Sequence, residues 1–479
     1  MRQRLCIWFC ESHQLCYIEA SISVDDMPDD TLQPQLLYKL DDKPPVLAAA
    51  FVGFQHLLAI IGGILMAPFL IARGMGLGVE DSAYVISSAL VVSGFATLLQ
   101  INRLGMLGSG LLSIQGTSFS FIGIMIFAHQ KLALNMTSGE ALGAIFGSSA
   151  ACALLMLVFS LSIRRLKSII TTNVAGATII LIGLSLIQST LQNLVGSFNA
   201  AGGVEGSGVS HLVLAAVVFA IIAVIANLQQ VWLRLSSITI GLVIGILAAL
   251  QMGIADFSGV TEGDIFFVPQ FWRYPLTVDI QVMVLIMPIF LVSAMESIGD
   301  ITATNNLSGL KTGTPDHWLR IRGGVMATAL SSFIAALFCT FPSTTFSQNN
   351  GVIRLTGVSS RQVGKYVAVF LVVLGCLPIV TAVFQRIPSE VIFGATLLMF
   401  MLVAFSGFRV VEMAQPKARD WIVVALAIVL GYVISMFIGL VPNLSSEIVI
   451  LFQFPVSTGA LVALVLELVI PSDDADASD

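Results

Sequence analysis

Two carboxylates pose the first chemical question. Glu296 and Asp300 stand at i and i+4 in Met295-Glu296-Ser297-Ile298-Gly299-Asp300-Ile301-Thr302-Ala303-Thr304, at the end of an apolar stretch. Helical spacing projects both from one face, a turn apart. Ionisable groups at membrane depth are costly and mark substrate or proton pathways. Like charges on one dry face repel, which suits a proton-coupling site or a carboxylate that accepts N–H groups from a substrate. For Asp300, a solvated position at the helix end accounts for the residue as well; for Glu296 it does not.

Three other clusters carry usable chemistry. Gln55-His56 interrupts an apolar helix. Helical histidines commonly serve as structural hydrogen-bonding groups, but the depth of His56 puts it in or beside a site. Gln348-Asn349 provides neutral donor–acceptor amides beside irregular backbone. Such groups read planar heterocycles, whose edges alternate N–H and C=O. A cationic solute would call for more acid at depth, and an inorganic anion for Arg or Lys; neither is there. The residues alone point to transport of a small, polar, largely neutral solute. His129, His211 and His317 fall at stretch ends or in loops and receive no role. Glu467 lies near the cytoplasmic end of the last stretch, where its carboxylate is expected to snorkel toward water.

The elements that must position these groups follow from composition. Of 479 residues, 57% are apolar and 10% charged, with a mean hydropathy of +0.95. An average soluble protein carries about 25% charged residues, so a soluble enzyme is excluded, as is disorder outside the ends. The 22 Lys and Arg against 28 Asp and Glu argue against a nucleic-acid partner. What remains is an all-α polytopic membrane protein embedded in a lipid bilayer.

Fourteen apolar stretches are candidate spans: residues 47–71, 83–101, 111–127, 141–161, 174–191, 212–226, 238–254, 282–298, 323–341, 344–353, 367–384, 391–405, 421–440 and 456–470. With a cytoplasmic N-terminus and every stretch crossing, the outer side keeps only Arg73, Lys131, Arg273 and Arg386, and the other eighteen Lys and Arg fall inside. Dropping a middle span would invert every later loop and spoil this asymmetry, so both termini are expected inside.

The third stretch (Ser109 to Ser120) and the tenth (Phe341 to Gly351) make poor membrane helices, being short, polar and rich in Gly, Ser, Thr or Pro. Backbone that leaves the helix at membrane depth must be buried in protein or line a wet cavity. Each is the third of seven, and seven is odd, so two like halves must insert in opposite orientations. Paired broken segments of an inverted repeat point to a transporter's substrate site.

The ends say less. Residues 1–44 form a cytoplasmic N-terminal segment, and 472–479 an acidic cytoplasmic tail. Cys6, Cys10, Cys16 and His13 lack the spacing of a zinc site, so no metal is expected. No clean signal peptide precedes Met27, and residues 1–26 fit a start-site artefact.

Gln348-Asn349-x-Gly351-x4-Thr356-Gly357 resembles the signature of the nucleobase–ascorbate (nucleobase–cation symport 2) transporters. Gln55-His56 and Glu296 fit the same family, over about Leu37 to Pro471. Ser113 to Gly116, Glu296 to Thr304 and Gln348 to Gly364 most resemble the bacterial xanthine permeases. The resemblance implies a transporter domain over residues 45–471, fourteen segments in a seven-plus-seven inverted repeat. Spans 1–4 and 8–11 would form a core and spans 5–7 and 12–14 a gate, commonly as a homodimer in the cell inner membrane. Spans 3 and 10 would be part strand, part half-helix. By this likeness Glu296 would accept purine N–H groups and Gln348 would bind the opposite edge. Ser118 and Phe119 would supply backbone and stacking. Asn349, His56, Gln55 and Asp300 would shape the site or the proton-linked switch. No cofactor is implied beyond a coupled proton.

One departure concerns Thr328, where such permeases often carry Asp or Asn; without that carboxylate Glu296 and Asp300 must serve alone. Ser118 likewise replaces an Asn of some xanthine-selective members, leaving room for the C8 oxygen of urate. The expected activity is proton-coupled import of xanthine and/or uric acid. The alternative is a uracil or other pyrimidine permease of the same family. A sulfate-type anion transporter would differ at the Gln348 motif and Glu296. A membrane-embedded enzyme would need a nucleophile–base or metal constellation that the sequence lacks. A channel is compatible with composition and would show conductance without saturation.

Overall fold

The computed structural model describes residues 36–470 apart from 163–170, 204–205, 231–232, 235, 259–264, 414, 443, 445–447 and 450–451. The expectations for Cys6, Cys10, Cys16, His13, Met27 and the 472–479 tail lie outside the described residues, as do Arg164, Arg165 and Lys167 of the charge count.

The first half runs α1 (Val46–Gly74), α2 (Val79–Ile101), β1 (Gln115–Thr117), α3 (Ile122–Leu132), α4 (Ser138–Ser160), α5 (Thr172–Ala200), α6 (Gly208–Ala226) and α7 (Ser237–Gln251). The second runs α8 (Ile280–Leu307), α9 (Pro315–Leu337), β2 (Ser343–Thr345), α10 (Gln348–Thr356), α11 (Arg361–Gly375), α12 (Pro378–Gln385), α13 (Ser389–Met413), α14 (Ala418–Phe437) and α15 (Pro455–Val469). Among the described residues, eight helices are long and apolar enough to cross a membrane: α1, α2, α4, α5, α6, α8, α13 and α14. The α11–α12 pair makes a ninth if its two pieces are counted as one span.

Sequence chemistry sets the ends of these helices. Asp279 caps α8 by accepting from Val282 N at 3.0 Å, and Thr314 caps α9 by accepting from His317 N at 3.2 Å, with Pro315 in the first turn. Thr137 and Glu140 close a reciprocal capping box at the start of α4. The apolar stretch 367–384 is not one straight helix. It bends by 72° between α11 and α12, because Pro378 has no N–H to continue the ladder and holds Leu377 extended.

The helices pack in two groups. In one, α1 and α2 lie against α11, and α4 against α9. In the other, α5 and α6 lie along α13, and α14 packs on α15 and α5. Apolar side chains gain little by leaving lipid for protein, so close backbone approach at small residues drives this packing. A Cβ on Gly183 of α5 would stand 2.5 Å from Ala404 N of α13, so only glycine permits that approach.

The two polar stretches meet inside the first group. β1 and β2 pair antiparallel, with Gln115 opposite Thr345, Gly116 opposite Thr344 and Thr117 opposite Ser343. Each short strand is buried and is followed within a few residues by a helix, α3 or α10. Each stretch therefore satisfies the other's backbone, as membrane-depth irregular backbone must be satisfied.

Candidate substrate site

The strand–helix junctions each take hold of one carboxylate. After β1, Ser118 caps a single 3-10 turn, Phe119–Phe121, that leads into α3. The Ser118 and Ser120 hydroxyls donate to Glu296 Oε2 at 3.4 and 3.3 Å. At the end of β2, the Thr345 hydroxyl donates to Asp300 Oδ2 at 2.9 Å. Glu296 and Asp300 are 8% and 3% exposed, so Asp300 is buried against β2 rather than solvated at a helix end. α8, on which both ride, continues to Leu307.

A second contact ties the first helix to the same place. His56 Nδ1 lies 3.0 Å from Asn349 Oδ1, and Asn349 Nδ2 donates to Leu112 O at 2.6 Å. Because the amide nitrogen is committed to Leu112, its oxygen is the acceptor, and His56 carries its proton on Nδ1. His56 Nε2 is buried and meets no partner among the described residues, leaving its lone pair available. Gln348, the first residue of α10, is half-buried and its amide makes no hydrogen bond among the described residues. Gln55, one position before His56, is also half-buried.

Thr328 of α9 lies behind the strands. Its hydroxyl accepts from Gln115 Nε2 at 3.0 Å and sits 3.3 Å from Ser297 Oγ, which in turn is 3.4 Å from Thr344 Oγ1. A neutral hydroxyl network thus occupies this position. Phe119 packs against Phe346 and Phe400, both with ring centroids 5.6 Å away, the latter edge-on. Phe400 belongs to α13, so this cluster spans the two packing groups. Gly116 leaves room for the Phe346 ring: a Cβ there would lie 2.6 Å from Phe346 Cε2.

Several partners had no counterpart in the sequence reading. Ser120 and Thr345 lie in the polar stretches singled out as broken, but their pairing with particular carboxylates depends on the strand register. Asn350 accepts from Thr304 Oγ1 at 2.5 Å, tying α10 to α8. His211, given no role, stands 2.9 Å from Glu390. Glu467 does not snorkel; Arg419 Nη1 meets it at 2.8 Å and Asn173 Nδ2 at 3.4 Å.

The arrangement brings the Glu296 carboxylate of α8, the unengaged Gln348 amide at the start of α10 and the Phe119 ring to the two strand–helix junctions. Comparison with known proteins shows a permease. The model of a family described as the Permease family matches residues 47–440. Xanthine permease XanP of Escherichia coli K12 is 35% identical over 465 residues, covering 94% of this chain and 100% of the relative. Xanthine permease XanQ of the same organism is 34% identical over 437 residues, covering 91% and 94%. Among solved structures, the transmembrane domain of the cyanobacterial bicarbonate transporter BicA superposes with a TM-score of 0.52 at 16% identity, covering 90% of this chain and 99% of that one. The murine anion transporter Slc26a9 in its inward-facing state gives 0.55 at 12%, covering 90% and 69%. The structural likenesses speak to the fold alone. On sequence, the chain belongs to the nucleobase–ascorbate transporter family of permeases and is a multi-pass membrane transporter, not an enzyme.

Proposed function

We propose that this protein is a proton-coupled symporter that imports a purine base, xanthine and/or uric acid, across the cytoplasmic (inner) membrane. The observation that carries the reading is the antiparallel β1–β2 pair, whose two ends hold Glu296 and Asp300 and whose following helix begins with the unengaged Gln348 amide. The printed names of the relatives, xanthine permeases over nearly their whole length, support a purine as solute.

In this mechanism Glu296 accepts N–H groups of the purine, Gln348 binds the opposite edge, and Phe119 and the Ser118 backbone bracket the ring. The first turns of α3 and α10 add positive dipole ends, which favour a solute with anionic character. Asp300 and His56 link this binding to the proton. The chain would comprise fourteen segments, seven and seven in opposite orientation, with both termini cytoplasmic. The first packing group would act as core and the second as gate, most usefully in a homodimer that anchors the gates. The eight long helices and the bent α11–α12 pair support this reading, in which α7, α9, α15 and the two strand–helix segments would be the remaining spans.

Uptake of radiolabelled xanthine in cells lacking their own purine permeases tests this, with excess urate, uracil or guanine as competitors and with a protonophore. Uptake that xanthine or urate blocks and the protonophore collapses is the expected result. Competition by uracil alone would replace the purine with a pyrimidine, and absence of uptake of any base would overturn the reading.

A further inference from the structure

A cavity of about 770 Å³ opens between the two packing groups, where α1, α5 and α12 end and α2, α6 and α13 begin. Its size falls in the range of roughly 300–1,000 Å³ that suits small-molecule sites. The polar groups on its wall are sorted by what they already do. Glu390 is 2% exposed, and its carboxylate is occupied. Ser197 and Ser389 hydroxyls donate to Oε1 at 2.6 and 3.0 Å, and His211 Nδ1 stands 2.9 Å away. Gln385 is likewise committed, donating to Val79 O at 3.2 Å.

Arg73 is different. It lines the same cavity from the last turn of α1, with its guanidinium 6.0 Å from the Phe69 ring centroid. Among the described residues it makes no hydrogen bond and no ion pair within 4 Å. A cation suits the C-terminal dipole of a helix, which accounts for charge at this position. It does not account for a planar fork with no hydrogen-bonded partner among the described residues beside an aromatic face, on a cavity whose buried acid, Glu390, acts on it only through its field and is itself held by Ser197, Ser389 and His211. That combination suits a flat, conjugated anion with two adjacent acceptors, which a guanidinium grips bidentately.

We infer that this cavity is a separate loading site, in which Arg73 takes the anionic edge of an oxopurine over Phe69 before the solute passes to Glu296. The inference rests on the purine reading above for the identity of the solute. Seated there, a ring would stack beside Phe69 while the Glu390 carboxylate stays bonded to Ser197 and Ser389 and leaves the guanidinium N–H groups to the solute.

Equilibrium dialysis of radiolabelled urate against purified protein carrying Glu296→Gln isolates this site from the one on α8. Weak, saturable binding is expected to remain, to fall about tenfold on adding Arg73→Gln, and to recover in part with Arg73→Lys, which also controls for folding. Neutral uracil should not compete. In cells, Arg73→Gln alone should raise the apparent KM for the purine about tenfold with kcat unchanged. Urate binding that ignores Arg73, or its complete absence in the Glu296→Gln protein, would overturn the loading site. Arg73-dependent urate binding in a protein that transports no base would keep the loading site and remove the transport reading instead.

Discussion

His56 on α1 donates through Nδ1 to Asn349 Oδ1 on α10 across 3.0 Å, joining residues 293 positions apart in the chain. The bond fixes the histidine tautomer and, through Asn349 to Leu112 O, holds the backbone that leads into β1. Buried polar groups joined this way act as a unit. His56→Ala and Asn349→Ala should each cut uptake about tenfold, and the double variant should do little more harm than either. Initial-rate uptake with membrane-level immunoblots reads this; full additivity would show the two residues acting separately.

Glu296→Gln removes the charge and half the acceptor capacity that Ser118 and Ser120 frame. Transport should fall by about a hundredfold or more, with expression intact. Uptake at the parent rate would refute the role of this carboxylate.

Gln348 is the unengaged amide of the site, so its loss should weaken solute binding without disturbing the fold. Gln348→Ala is expected to raise the apparent KM about tenfold. An unchanged KM measured over the same concentration range would remove Gln348 from the site.

Thr328 holds Gln115 through its hydroxyl, with no ionisable group at that position. Thr328→Asp adds one beside Ser297 and β1. The pH profile of uptake should change shape, because a new proton-binding group joins Glu296 and Asp300. Identical profiles for parent and variant would mean that α9 takes no part in coupling.

Arg419 makes four contacts, one to its α14 neighbour Asp420 and three, to the Glu467 carboxylate and the carbonyls of Glu467 and Ile470, that pin α14 to the end of α15. Removing one partner of such a pair leaves the other, here the 8%-exposed Glu467 side chain, without its counter-charge. Arg419→Ala should cost about 3 kcal/mol, seen as a lower apparent Tm in detergent. Glu467→Gln in the same background should recover part of the loss.

The sequence by itself determined that this is a helical membrane protein, where its apolar stretches lie, and which two of them are broken. Those properties are local: hydropathy depends on composition along the chain, and Ser, Thr, Gly and Pro betray non-helical backbone wherever they cluster. The i, i+4 spacing of Glu296 and Asp300 was equally legible, since helix geometry alone puts them on one face. Only the tertiary structure decided that each carboxylate is held by a different strand–helix junction, Glu296 after β1 and Asp300 at the end of β2. That outcome depends on an antiparallel register between segments some 230 residues apart in number. It likewise decided that Glu467 is paired with Arg419 and that His211 meets Glu390. Each of these is a contact between distant elements, and a pattern along one chain carries no record of which helices approach closely enough to make it.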